Sequence, residues 1–236
     1  MRRSSAAAAP KFRRESPDAR REALVAATLA CLHKFGHEGV SVRRISAEAG
    51  VSMGLINHHF PGVDALIAAA YESLAARLLS QSRDPALALG SEPFKALHAF
   101  FSASFAPQAL DPAIFRTWVV FWSLIPHSPQ LRALRERTNG ETRATLESLL
   151  TGLRSAGAVP FKIGAAAIGL AALMDGLWVE LSLNPMSFKP AKAVALCDDW
   201  VCALTAGAFP ALRASQRAGS AARTQVDLVP TGADQA

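Results

Sequence analysis

The sequence predicts an all-α fold, and three observations carry that prediction. Ala and Leu dominate while the strand-favouring residues Val, Ile, Thr and Tyr are sparse. Ser16-Pro17, Asp111-Pro112 and Ser128-Pro129 each set a capping side chain directly before a proline whose fixed φ suits a first helical turn. Between such starts, apolar residues recur at helical spacing.

Taken in chain order, the first helix is predicted near 17–36, opened by Ser16. Leu24, Thr28, Cys31 and Phe35 line one face, Val25, Leu29 and Leu32 lie beside them, and Gly36 ends it. Ser41 and Ser52 cap short helices near 42–49 and 53–59. Leu66, Ala70, Leu74 and Leu78 mark a helix near 62–82, and Ser91 with Pro93 opens one near 92–106. Asp111 and Ser128 open helices near 112–125 and 129–155. Gly140 interrupts the second of these at a cost of about 1 kcal/mol relative to Ala, which makes it a point for a kink or break. Ile163, Ala167, Leu170, Met174, Trp178 and Leu181 stripe a helix near 161–182, and Lys189-Pro190 opens the last, near 190–206. Residues 1–10 and 211–236 lack a sustained apolar period and are expected to be flexible.

A chain of 236 residues buries a real core without disulfides. Cys31, Cys197 and Cys202 are too few and wrongly spaced for a disulfide framework or a four-ligand zinc site, so they are expected to be small buried hydrophobes in a reducing cytoplasm. No apolar h-region follows the arginines of the N-terminus. The window Ile163 to Leu183 has the length of a membrane span, but Asp175 and Glu180 would each cost roughly 2–3 kcal/mol there, and a helix buried in protein on several faces is expected instead. Charge is uneven. Residues 1–83 hold 12 Lys/Arg against 7 Asp/Glu, and residues 84–236 hold 13 against 12. A basic N-terminal part implies a polyanionic partner, but charge alone does not choose among DNA, RNA and an anionic membrane.

The segment SVRRISAEAGVSMGLINHHF at Ser41–Phe60 supplies the choice. Ile45, Ala49, Val51 and Ile56 form the apolar contact between two short helices, small Ser46 permits their approach, and Gly50 stands where the turn requires positive φ. Such a brace holds exposed side chains against base edges in a major groove about 12 Å wide. An ordinary helical hairpin of a core would share part of this pattern. With the helix ending at Gly36, the Gly39-Val40-Ser41 entry, the AGVS turn and the GLINHHF helix, the segment resembles the N-terminal domain of the TetR family of repressors. That resemblance implies a TetR-like all-α fold: a three-helix DNA-binding head with a helix-turn-helix, and a helical body for ligand binding and dimerisation. The corresponding divisions are a basic arm at 1–14, the head at 15–62, the body at 63–210 and a tail at 211–236.

Carried over by position, Arg43 and Arg44 open the bracing helix, Ser52 caps the recognition helix, and Met53, Gly54, Asn57 and His58 face outward on it. Asn57 is the candidate base reader, since an amide pairs bidentately with adenine. His59 matches a family position that touches phosphate. Gly62 and Val63 stand where the family commonly has a capping Ser or Asn and a phosphate-binding Lys. Arg13, Arg14, Arg20 and Arg21 could supply the missing contact as a basic arm, or be a solvated charge run.

The blocks DPAIFRTWVVFW from Asp111, HSPQLRALRER near residue 130 and LMDGLWVELSL at 173–183 resemble BetI-type repressors, which control glycine betaine synthesis and respond to choline. On that resemblance the chain represses choline uptake and glycine betaine synthesis genes and is released by choline; the alternative is a regulator of another small-molecule or efflux system. Phe115, Trp118 and Trp122 at i, i+3 and i+7, Phe101 and Phe105 one turn apart, and Trp178 near Asp175 suit a quaternary ammonium, whose attraction to an aromatic face is roughly 0.5–2 kcal/mol. The same residues would also serve as plain core. The sequence has no Gly-rich phosphate loop, HExxH or GxSxG, so an enzyme is not expected, and neither a cofactor nor a metal is called for. A helical protein–protein adaptor is the reading from another class. A homodimer is expected through the helices near 161–182 and 190–206, where Gly164, Ala165, Ala166, Ala167, Gly169, Ala171 and Ala172 allow close approach; its partners are double-stranded operator DNA and a small-molecule inducer.

Overall fold

The structure, a computed structural model, describes residues 16–213. These form α1 (Pro17–Phe35), α2 (Val42–Ala49), α3 (Met53–His59), α4 (Val63–Leu87), α5 (Pro93–Ser104), α6 (Pro112–Leu124), α7 (Pro129–Ser155), α8 (Ile163–Leu183) and α9 (Pro190–Thr205). Among the described residues there is no strand, only an isolated bridge between Phe161 and Arg213. The expected caps are made: Ser16, Asp111 and Ser128 accept from the backbone N–H groups of Ala19, Ala113 and Leu131 at 3.1, 2.8 and 3.2 Å. Glu92 and Lys189 precede α5 and α9 without a side-chain cap, and there the proline alone marks the start.

Two expectations about helix interiors change. α7 runs unbroken through Gly140, whose exposed position leaves nothing within 4 Å of an added Cβ. α4 continues past residue 82 to Leu87 with Pro85 inside it, because Ser82 and Ala86 are buried against α5 and hold the last turn. Tertiary packing outweighs the hydrogen bond that the proline removes.

The chain builds two apolar clusters. One joins α1, α2 and α3 to the first half of α4 through Leu24, Leu32, Ile45, Ile56, Leu66 and Tyr71, and reaches Ile114 and Phe121 of α6, well beyond residue 62. The other unites α5, α7, α8 and α9 around Phe101, Leu146, Leu150, Leu170 and Cys197. Trp178 packs against both.

α8 is long and apolar enough to cross a membrane, and only 28% of its most apolar window is buried within the chain, so it is not the helix covered on several faces that the sequence led us to expect. Ala166 and Ala167 pack inward with Leu170, and a Cβ on Gly169 would stand 3.3 Å from the Trp200 ring, so these small residues serve the chain's own packing. Of the approach surface expected, Ala172 is exposed, and it shares the uncovered side of the helix with Ile168, Gly176 and Leu183; Ile168 and Ala172 also line the cavity described below. The cysteines also divide: Cys31 and Cys197 are buried, with burial pushing the Cys197 thiol up to about 12, but Cys202 is exposed on the outer side of α9 and is no core hydrophobe. Arg213, inside the expected tail, donates from Nε and Nη2 to the Gly207 carbonyl at 3.1 and 2.7 Å, so the tail's first residues are fastened. Arg13, Arg14, the rest of the arm and residues 214–236 lie outside the described residues.

Candidate nucleic-acid interface and ligand cavity

The head holds α3 by local chemistry. Ser41 Oγ accepts from the Arg44 N–H and Ser52 Oγ from the Leu55 N–H, both at 3.3 Å, which satisfies donors at the two helix starts. Gly50 turns the chain at φ +67° and ψ 30°, a left-handed conformation that favours glycine. Ile45 and Ile56 are fully buried between the helices, and buried Ser46 closes its hydroxyl onto the Arg43 carbonyl at 2.9 Å. Gly39 is required by space, because a Cβ there would fall 2.2 Å from Phe35 Cβ.

What this brace leaves outward is Met53, Gly54, Asn57 and His58 on α3, with Arg43 at the start of α2; all are exposed. His59 is half-buried and meets the His58 ring edge-on at 5.2 Å. Arg44 is engaged in the head itself: Nη1 donates to the Gly39 carbonyl at 2.7 Å and the guanidinium lies 4.8 Å from the Phe35 ring centroid. Arg21 is engaged too. It donates to the His59 carbonyl at 3.2 Å and covers the Phe60 ring at 4.1 Å, which ties α1 to the end of α3. At the departure point, Gly62 has φ +125° and gives α4 no side-chain cap; a Ser or Asn there would be strained.

In the body, a cavity of about 450 Å³ opens between α4, α5, α6, α7 and α8. Trp118, Trp122, Asp175 and Trp178 line it, as the sequence suggests. Trp118 and Trp122 stack at 6.5 Å, and Trp122 meets Trp178 edge-on at 6.4 Å. The Trp178 indole is oriented by Nε1 donating to the Ala109 carbonyl at 3.0 Å. Phe115 does not line the cavity. It stands two turns before Trp122, roughly 10 Å along the α6 axis, and backs the cluster 5.5 Å from Trp178. Phe105 lines the cavity while Phe101 is core.

Sequence reasoning missed Tyr71 and three residues of α7. Tyr71 belongs to the head's cluster yet lines the cavity, edge-on to Trp118 at 5.1 Å, with its hydroxyl 3.3 Å from Thr138 Oγ1. Arg135, Asn139 and Arg143 line the α7 wall at i, i+4 and i+8, a spacing visible in the sequence but meaningful only once a cavity lies beside that face. Asp175 keeps solvent contact at the mouth, yet the surrounding helices and rings desolvate its carboxyl and raise it above the ordinary carboxylate range, with the Arg135 charge opposing. Aromatic faces beside a carboxylate form a cation-attracting wall. Among the described residues no group of three or more metal-ligating side chains converges.

Residues 24–70 match the profile of bacterial regulatory proteins of the tetR family, and residues 93–206 match that of the BetI-type transcriptional repressor C-terminal domain. The chain is 33% identical to the HTH-type transcriptional regulator BetI of Serratia proteamaculans, over 77% of this chain and 90% of that protein. It is also 33% identical to BetI of Vibrio vulnificus, over 78% and 92%. Among solved structures, a transcriptional regulator from Pseudomonas aeruginosa PAO1 superposes with TM-score 0.78 at 42% identity, covering 86% of this chain and 98% of that one. A regulator from Rhodococcus sp. Rha1 gives 0.67 at 27% identity, covering 79% and 96%.

Proposed function

Since the chain belongs to the TetR family of transcriptional repressors, carries a BetI-type C-terminal domain and so is a regulator rather than an enzyme, we propose that it is a cytoplasmic homodimer released from its operator by a small trimethylammonium compound, choline or a close relative. The genes under its control are then those for choline uptake and glycine betaine synthesis. The observation that carries this reading is the cavity wall of Trp118, Trp122 and Trp178 beside Asp175, in direct contact with the head's own cluster through Tyr71, 5.1 Å from Trp118.

On the DNA side, Asn57 reads base edges, while Arg43, Ser52, Met53, Gly54, His58 and His59 position α3 on the duplex, with Arg14 extending the contact from the arm. A dimer presents two such helices to a pseudo-palindromic site. The exposed apolar side of α8 at Gly176 and Leu183, continuing to Ile168 and Ala172 at the cavity rim, supports a partner chain there. Occupation of the cavity releases DNA only if ligand binds the operator-competent and incompetent arrangements unequally; a coupling of about 1–3 kcal/mol lowers operator affinity roughly 5- to 150-fold. Mobility shift with a fragment of the gene's own promoter tests this. Retardation reversed by millimolar choline, glycine betaine or betaine aldehyde is expected, and retardation indifferent to all three would remove the trimethylammonium reading.

A further inference from the structure

The cavity carries charge of both signs, and among the described residues neither Arg135, Arg143 nor Asp175 forms an ion pair. On α7, Arg135, Asn139 and Arg143 repeat at every fourth residue and so share one face, the face that lines the cavity. Among the described residues none of these three side chains makes a hydrogen bond or an ion pair. Glu141, which also lines the cavity, lies 4.0 Å from Arg137, and the same guanidinium binds Glu72 at 2.8 Å. On the neighbouring α8, Asp175 lines the same cavity with the Trp118, Trp122 and Trp178 rings and is also without an ion pair among the described residues.

A ligand that is only a cation answers half of this site. Its ammonium gains the rings and Asp175 but meets like charge from two guanidinium groups. A ligand that is only an anion meets Asp175. A compound with a cationic head and a carboxylate satisfies both walls, because a guanidinium presents two parallel N–H donors to a carboxylate and the Asn139 amide adds two more.

We propose that the effector is a zwitterion, a trimethylammonium compound bearing a carboxylate, with its head between the tryptophans and Asp175 and its carboxylate on the α7 ladder, where Arg135 is the specificity-determining residue. Arg135 is near enough to act in this way: its charge draws both Asp175 and Tyr71 down against the effect of burial. The proposal rests on the reading of this cavity as the effector site and refines which amine it takes.

Titration calorimetry on the full-length protein without DNA tests it, with choline, glycine betaine, glycine betaine methyl ester and carnitine as ligands. The two carboxylates should bind at least about tenfold more tightly than choline or the ester, because a donor set left unpaired penalises the analogue that lacks the acceptor. Arg135→Gln should erase that advantage by weakening the carboxylates and, with one like charge removed, holding or raising choline affinity, and Arg143→Gln should erase part of it. The wild-type ranking needs no variant, so a misfolded Arg135→Gln protein does not shelter the proposal. Choline binding as tightly as the carboxylates, or Arg135→Gln weakening choline and carboxylates alike, overturns the zwitterion and leaves the trimethylammonium reading standing. Silence from all four ligands overturns both.

Discussion

Arg21 of α1 donates to the backbone carbonyl of His59 at 3.2 Å, on the last residue of the recognition helix, and its guanidinium lies 4.1 Å over the adjacent Phe60 ring. A cation there meets an orphan carbonyl and the negative end of the helix dipole while stacking on an aromatic face. Arg21→Ala should therefore lower the stability of the head by about 0.5–1 kcal/mol and weaken specific and random DNA to a similar degree. Thermal unfolding and mobility shifts check this; an unchanged melting temperature with DNA binding intact would return Arg21 to the solvated charge run.

Asn57 and Arg43 should separate on DNA. Asn57→Ala is expected to cost about 1–3 kcal/mol on the operator and relax base preference, whereas Arg43→Ala should weaken all sequences evenly and reduce the salt slope by about one. Fluorescence anisotropy on operator and scrambled duplexes, over a salt series, distinguishes the two. Equal losses on both duplexes for Asn57→Ala would end its assignment to base reading.

Gly176 lies at the middle of the exposed α8 face, and a Cβ added there meets nothing within 4 Å. Gly176→Arg should fold as a chain but place a charge in the expected interface, converting the dimer to a monomer at micromolar concentration and abolishing operator binding. Gly176→Ala should stay dimeric. Sedimentation equilibrium decides, and a dimeric Gly176→Arg protein would move the interface elsewhere.

Gly140 is an exposed glycine in the unbroken interior of α7. Gly140→Ala should raise stability by about 1 kcal/mol, since Ala carries the lower helix cost and no neighbour is displaced. Chemical denaturation measures it, and a loss of stability would mean that the glycine is needed for something the folded chain alone does not display.

Asp175 should make ligand binding and stability respond to pH in opposite directions. Burial raises its carboxyl above the ordinary 3.8, so the folded state holds the proton more tightly than the unfolded one. The stabilisation is complete below 3.8 and is lost as pH rises through the raised value. Cation binding needs the carboxylate, so it strengthens over the same rise. Calorimetry and thermal melts across that window should show ligand-free stability falling as ammonium affinity climbs, and Asp175→Asn should flatten both.

The sequence by itself determined the elements and the head. Ser16, Ser41, Ser52, Asp111 and Ser128 each cap a helix within a few residues of the chain, and Gly50 makes its turn locally, so their physics is complete in the linear order. The outward set on α3 follows from the same local brace. Tertiary structure alone decided which aromatics meet a cavity and which only back it, because Phe115 and Trp122 share a helix face and only the neighbouring helices, with Trp178 5.5 Å from Phe115, leave one at the cavity and the other behind it. It also decided that Arg21 and Arg44 turn inward onto Phe60 and Phe35 while Arg43 stays free, since those rings and carbonyls arrive from other segments. The small residues of α8 divide for the same reason: helical period tells which side chains share a face, and only the packed neighbours tell which face is covered.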